Sequence, residues 1–463
     1  MGIVSSPTDS IPQAAFTQCL RELPNYVVLR NEEDLFGNLQ RGGDVDLLVE
    51  DLELAERTLI RHFGFPVRVI KSHYVRGYSY DWGTVDLIPA IEWRGARYLR
   101  TETVLGSQRL SARGRPVPRI SHEALISWLT SLLFGGFFKE RYAAEIRKAV
   151  EIDGDAFRQT LMDVAGKRLG NRLWQAAVEG HPEISAQWTR PLRLAVWSRA
   201  CFRSPVRTIQ RYFGYVIGEL RLRFKPPGPW IAILGSDDKS KSSLASEIVH
   251  RSAAWPYGNV KALQWRPRLI ARADSGEAVT VPCGKTRSVG IGSSLRLLVL
   301  AADWLVGYWT RLVHLRGKGY ILAFDCTYFD LVDQRRYQYG VGPPLARALW
   351  RLLPKPDVVF LLDSEPDVRL RGKQAVPTSE LARQRHAQRA WVRQLPAGHV
   401  LNGSLPLGVA VDEIQRVIRA WMLERSVVSL GGVQVPLVTV PTASGEGSSG
   451  TPSTLVGRGD GAR

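Results

Sequence analysis

Cysteine is scarce in this chain: Cys19, Cys201, Cys283 and Cys326 are the four in 463 residues. They form no CxxC pair and are too few and too scattered for a disulfide framework, so a reducing compartment is expected. Acidic residues are also short, 44 against 62 Lys and Arg, for a net charge of +18. That balance calls for anionic partners and does not choose among nucleotides, nucleic acid and acidic lipid headgroups. Long hydrophobic runs are missing. The most membrane-like stretch, Leu297 to Thr310, contains Asp303 and is shorter than the ~20 residues a spanning helix needs. No basic-then-apolar leader opens the chain, and the expected location is the cytoplasm. The eight histidines show no paired ligand spacing, which argues against a zinc site. The absence of a GxSxG elbow and of a papain-like Cys context argues against a Ser or Cys nucleophile. What remains is 44% hydrophobic and 23% charged, the usage of ordinary folded proteins. At roughly 150 residues per domain the length suggests about three folding units.

From Asn25 to about Pro89, β-rich runs at Tyr26 to Leu29, Val45 to Val49, Val67 to Ile70 and Val85 to Ile88 surround a helical stretch at Leu52 to Phe63, an α/β unit. Helical spacing then dominates from about His122 to Leu222. Between Arg190 and Lys225 this region carries nine basic residues and one acid, Glu219, interleaved with aromatic residues. Its alternatives are a packed helical hairpin with solvated arginines, or docking on an anionic membrane surface or nucleic acid. Lys225-Pro-Pro-Gly-Pro229 breaks the helical pattern and marks a domain boundary. Beyond it, strands at Trp230 to Leu234, Tyr320 to Phe324 and Val358 to Leu362 alternate with helical segments, the signature of a doubly wound parallel sheet.

Gly235-Ser-Asp-Asp-Lys-Ser-Lys-Ser-Ser243 follows the first of these strands and fits GxxxxGK[ST] with one mismatch, at Ser240. In a loop of that kind backbone N–H groups face nucleotide phosphates, the lysine neutralises the β and γ oxygens, and the hydroxyl ligates magnesium. Lys241 and Ser242 hold the last two roles here. Gly235, Asp237, Ser240 and Ser243 complete the expected nucleotide-binding loop. Asp238 in the loop places a carboxylate where a like charge ~4 Å away costs about 4 kcal/mol at an effective dielectric of 20. If Ser240 takes the left-handed conformation open to glycine, it costs ~1 to 2 kcal/mol.

Taken with Trp265-Arg266-Pro267, Asp325 at a strand end, Tyr337 after Arg335-Arg336, Asp363 closing the next strand, and the basic run Arg369, Arg371, Lys373, Arg383, Arg385 and Arg389, this segment resembles the thymidylate-kinase-like P-loop kinases. The resemblance covers about two fifths of the chain. It implies ATP and Mg2+ as cofactors, Arg369 and Arg371 as charge-stabilising lid arginines, Asp325 as an orienting carboxylate, and Arg266 and Tyr328 beside it at the acceptor. Asp238, Ser240, Cys326, Gly372 and Ala375 depart from the group's pattern.

Near the N-terminus, Gly42-Gly43-Asp44-Val45-Asp46 sets two aspartates at i and i+2 on a strand, so both emerge on one face. Asp86 begins a second strand that can lie beside the first. Three converging carboxylates suit magnesium, whereas Gly-Gly-Asp is also an ordinary turn entering a strand. Residues Asn25 to about Pro89 resemble the nucleotidyltransferase fold of the polymerase-β superfamily, which implies Asp44 and Asp46 as catalytic carboxylates and Asp44, Asp46 and Asp86 as metal ligands. The family's Gly-Ser turn is absent, and Arg30-Asn31 stands in its place. Arg76, Arg94 and Arg97 are alternatively phosphate contacts or solvated surface residues.

The expected architecture is therefore α/β. It comprises a nucleotidyltransferase-like α+β domain at residues 1–120, a basic helical connector at 121–225, a thymidylate-kinase-like P-loop domain with a doubly wound parallel sheet at 226–425, and a flexible tail at 426–463. The expected function is ATP- and magnesium-dependent phosphoryl transfer to a small nucleotide-like or sugar-like acceptor. The alternatives are a catalytically degenerate nucleotide-binding scaffold or sensor, and a nucleic-acid-binding protein. A nucleotide, a small-molecule acceptor and a second copy of the chain are the expected partners, with an anionic membrane surface or nucleic acid at residues 190–225.

Overall fold

The computed structural model describes residues 13–30, 44–235, 238–253, 255, 257–258, 260–263, 291–324, 343–363 and 378–431. Asp237, Arg266, Asp325, Tyr328, Arg369 and Arg371 lie outside the described residues, as does the chain beyond residue 431.

The front half is built on five strands: β1 (Tyr26–Arg30), β2 (Asp44–Val49), β3 (Arg68–Lys71), β4 (Arg76–Tyr80) and β5 (Gly83–Ile88), in the spatial order β1-β2-β5-β4-β3. Only β2 and β5 run parallel to each other; the remaining neighbours are antiparallel. A parallel pair needs a crossover, which begins with the helix Leu52–Phe63. Its start is set by Asp51, whose carboxylate accepts from the Glu53 and Leu54 N–H groups at 3.0 Å, an N-cap worth ~1 kcal/mol.

Strand alternation divides the sheet between two cores. Val28, Val45, Leu47, Val85 and Leu87 pack with Leu59 of that helix. Val27, Leu29 and Leu48 face the other way, onto Leu125, Trp128, Phe157 and Leu192 of the helical region. The segment expected as a connector is thus a packed layer on the front sheet, sharing one core with it. Two small hairpins, β6 (Ile91–Trp93) with β7 (Ala96–Leu99) and β8 (Arg109–Leu110) with β9 (Pro116–Val117), lie between sheet and helices in sequence.

The back half holds a wholly parallel sheet of β10 (Trp230–Gly235), β11 (Val260–Leu263), β12 (Ile321–Phe324), β13 (Val358–Asp363) and β14 (Gly398–Asn402) in the order β11-β12-β10-β13-β14. Both faces are buried, as parallel sheets require. Ile231 and Ile233 pack with Leu244 and Ile248 of the helix Asp238–Ser252 and with Ile414 and Ile418 of the helix Leu407–Ser429. Trp230 faces Leu297 and Trp304 on the opposite side, where Ala232 and Leu234 meet Val392. Among the described residues no helix is long and apolar enough to cross a membrane.

The Pro-Gly break before β10 is held by one buried arginine. Arg316 Nε donates to the Gly228 carbonyl at 2.9 Å and its Nη2 to Asp357 at 2.5 Å, while the same Asp357 oxygen accepts the Trp230 N–H at 2.8 Å.

The two halves are clasped by the helix Leu407–Ser429. Arg419 forks onto both Asp81 oxygens at 2.8 and 2.5 Å, Ser426 Oγ donates to the Val67 carbonyl at 3.1 Å, and Lys71 Nζ donates to the Ser429 carbonyl at 2.9 Å. The boundary expected after residue 425 therefore falls inside a helix, because Ser426 is buried at this junction and Leu430 belongs to the front core. Arg68 reaches from β3 to the Gly319 carbonyl at 2.9 Å. Gly319 has φ +85, and a Cβ there would lie 2.7 Å from Arg68 Nη1, so both backbone and neighbour demand glycine.

Candidate functional site

β10 is first in sequence but central in space. The chain leaves it towards β11 and β12 on one side and later crosses to β13 and β14 on the other. In open parallel sheets ligands bind outside the carboxyl ends of the strands where connections part in this way. Gly235 ends β10 at that point, and the helix begins at Asp238. The helix thus starts inside the Gly235–Ser243 motif. Ser240 therefore sits in the first helical turn, and among the described residues only Arg94, at φ 49, is a non-glycine with positive φ. The left-handed strain expected at Ser240 does not arise.

The consequence is a site made by the helix start. The first N–H groups of a helix have no i−4 acceptor within it, and this helix start lies at the end of β10. Helical side chains lean towards the N-terminus. Lys241, in that turn, is buried, and a Cβ placed on Gly235 would lie 3.6 Å from its Cγ. The lysine stem thus runs over the glycine. Ser242 and Ser243 are exposed next to it. Ser240, Lys241 and Ser242 each have an interaction partner within the chain.

Asp363 closes β13, the neighbour of β10, and is buried. Arg385 and Arg389 of the helix Thr378–Val392 both ion-pair with it. Two arginines of the basic run are thereby fastened to the end of β13.

In the front sheet Asp44, Asp46 and Asp86 occupy one face, the side that Leu48 turns to the helical layer. Asp46 and Asp86 are direct partners across β2 and β5. Arg30 Nε binds Asp46 at 2.9 Å, and Arg30 Nη1 lies 3.4 Å from the Tyr142 hydroxyl. Burial raises the Asp46 pKa despite Arg30, with Asp44 adding to the shift. Asp86 keeps some exposed surface, but its enclosed carboxyl is pushed up to about 7, first by burial, then by Asp46 and Asp44, against Arg68 and Arg30. The backbone makes room for it: a Cβ on Gly77 would lie 2.8 Å from Asp86 Oδ1. Among the described residues no three His, Cys, Asp or Glu side chains are gathered to hold a metal ion. The face supplies carboxylates to magnesium only if Asp46 parts from Arg30.

A pH dependence follows. A carboxyl whose pKa is raised on folding contributes stability that is fully present below its unfolded value of ~3.9 and is lost as pH rises through about 7. Asp86→Asn, which cannot ionise, is expected to raise stability at pH 8 by an amount on the order of a few kcal/mol, with the gain shrinking as pH falls to 5. Urea unfolding at the two pH values checks this; an equal gain at both contradicts it.

Of the three front arginines, Arg76 pairs with Glu56 at 3.0 Å and Arg94 stacks over Trp93 at 5.2 Å. Arg97 has a different place. With Arg100, Arg203, Arg207 and Arg211 it walls a cavity of about 560 Å³, opposed by Glu102 and Asp163. Arg97 meets Glu102 at 3.7 Å, and Arg203 donates to the Asp163 carbonyl at 2.9 Å. The Arg211 pKa is lowered, by burial first and then by Arg97. Such a cavity has the charge to take a phosphorylated small molecule. Arg203 ends the helix Thr189–Arg203, Arg207 and Arg211 lie one turn apart on the helix Pro205–Phe224, and β7 brings Arg97 to them.

No protein-family model matches the chain, and no curated protein matches it. Among solved structures it is similar to the thymidylate kinase from Ehrlichia chaffeensis, at 14% identity over 42% of this chain and 100% of that one, with a TM-score of 0.30.

Proposed function

We propose that the chain is an ATP- and magnesium-dependent phosphotransferase that moves the γ-phosphoryl group to a small nucleotide-like or sugar-like acceptor at the C-terminal end of β10. The observation that carries this reading is Lys241, buried over Gly235 in the first turn of a helix that starts where the sheet's connections part. N–H groups at the helix start would hold phosphate oxygens, Lys241 would neutralise β and γ charge, and the exposed Ser242 hydroxyl would ligate magnesium, which supplies charge neutralisation at the transferring group. Catalysis of this kind is mainly positioning and electrostatics. Arg369 and Arg371 are proposed to add positive charge, with Asp325, Arg266 and Tyr328 at the acceptor.

The front domain enters this proposal as a nucleotidyltransferase-like partner. Its Asp44, Asp46 and Asp86 do not form a ready magnesium site while Arg30 holds Asp46, and no chemical step is assigned to it.

Product analysis with ATP labelled at either the γ or the α phosphorus, against a panel of nucleosides, nucleotides and sugars, tests the reading. A γ-labelled product supports it. An α-labelled product moves the chemistry to the front domain, and unlabelled acceptors throughout point to a scaffold.

A further inference from the structure

The helix Pro205–Phe224 is amphipathic in reverse. Its inward side is lined by small residues: Thr208 is buried and donates to the Ala200 carbonyl at 3.0 Å, and Gly214 and Gly218 lie against His73, with a Cβ on Gly214 only 2.7 Å from the imidazole. Its outward side carries the large apolar residues. Val206, Ile209, Phe213, Ile217, Leu220 and Phe224 recur at intervals of three and four, so they form one ridge, and Phe202, at the end of the preceding helix across the non-helical Ser204, comes just before its start. All seven are exposed, Phe202 by 90% and Phe224 by 69%. Phe224 extends the ridge onto the exposed Trp309, their rings 5.7 Å apart. Scattered apolar residues are normal on a protein surface, whereas a continuous row of this length marks a binding face.

The charges beside the ridge select its occupant. Residues 190–225 hold nine basic side chains and one acid, and the exposed Arg221 and Arg223 lie on the ridge helix between Leu220 and Phe224. Two copies packed ridge to ridge would set like-charged rows against each other with only Glu219 to offset them, where paired helices need opposite charges beside the seam. A nucleic acid would satisfy the arginines but leave Val206, Ile209, Ile217 and Leu220 in water, since phosphodiester offers nothing to aliphatic side chains. An anionic bilayer satisfies both. Apolar side chains enter the interface, aromatic rings sit at headgroup depth, and arginines reach the phosphates.

We propose that this face docks on an anionic phospholipid surface, with the Phe202–Phe224 ridge embedded and the flanking arginines at the level of the phosphates. This proposal is independent of the nucleotide reading.

Sedimentation of the full chain with vesicles of phosphatidylcholine alone, or of phosphatidylcholine with phosphatidylglycerol, tests it. Binding is expected to the mixed vesicles, weaker by about tenfold or more to the neutral ones, with a blue shift of tryptophan emission. Phe213→Ser/Ile217→Ser/Phe224→Ser is expected to lose about tenfold or more in binding, and Arg221→Gln/Arg223→Gln to lose its salt sensitivity. The single change Phe202→Ser, at a residue free of packing, gives the same direction should the triple variant fold poorly. Each of these results overturns the proposal: no binding to anionic vesicles, binding that the ridge variants leave intact, or a concentration-dependent dimer that the ridge variants abolish. Salt-steep binding to DNA or RNA in place of vesicles also overturns it.

Discussion

Replacing Lys241 with methionine is expected to reduce ATP-dependent phosphoryl transfer by about a thousandfold. A unit charge ~4 Å from a phosphate charge is worth about 4 kcal/mol at an effective dielectric of 20, and each ~1.4 kcal/mol is tenfold. Methionine keeps an unbranched stem to lie over Gly235, where the lysine now runs, so packing is conserved while charge is lost. The ammonium's interaction within the chain is lost with its charge, so the stability of the variant is measured beside its rate. Initial rates with labelled ATP, together with a thermal melt, separate the two effects. An unchanged rate in a stable Lys241→Met protein contradicts the assignment of the loop.

Arg316→Ala is expected to give the largest loss of stability, about 3 to 5 kcal/mol, the usual result of stripping one partner from a buried ion pair. Arg316 is buried and holds Gly228, Tyr308 and Asp357 together. Its loss leaves the Gly228 carbonyl without that donor, and leaves Asp357 with the Trp230 N–H at 2.8 Å and Arg425 at 3.6 Å. Because Trp230 opens the strand that carries Gly235, the same change should also loosen the crevice at the end of β10. Urea unfolding followed by tryptophan fluorescence measures the loss, and an unshifted midpoint contradicts it.

Residues with strong local preference were legible before any coordinates. The helix Leu52–Phe63 and the cores of β1, β2, β10, β12 and β13 lie where apolar periodicity puts them, because each is buried on both sides or has a clean apolar face. β4 was invisible: Arg76-Gly-Tyr-Ser-Tyr80 has glycine where Asp86 lies overhead and serine where Arg68 donates at 3.0 Å, residues chosen by tertiary neighbours. β11 and β14 are the sheet's edge strands and carry Lys261 and His399, which blurs their pattern. The same division holds for the candidate site. The face shared by Asp44 and Asp46 follows from strand alternation, yet the pairing of Asp46 with Asp86 depends on register, which no local residue encodes. Arg30 drew notice only as a mismatch to a Gly-Ser turn, and it is the residue that neutralises Asp46. Asp363 and its arginines were each noticed, but their union joins a strand end to a helix that starts fifteen residues later in sequence.

If the helix start after Gly235 grips a polyphosphate, as proposed, calorimetric titration of the full chain with ATP in the presence of magnesium is expected to give a saturable heat with one site per chain, lost in Lys241→Met and lost on chelating magnesium. A flat trace from the stable wild-type chain contradicts it.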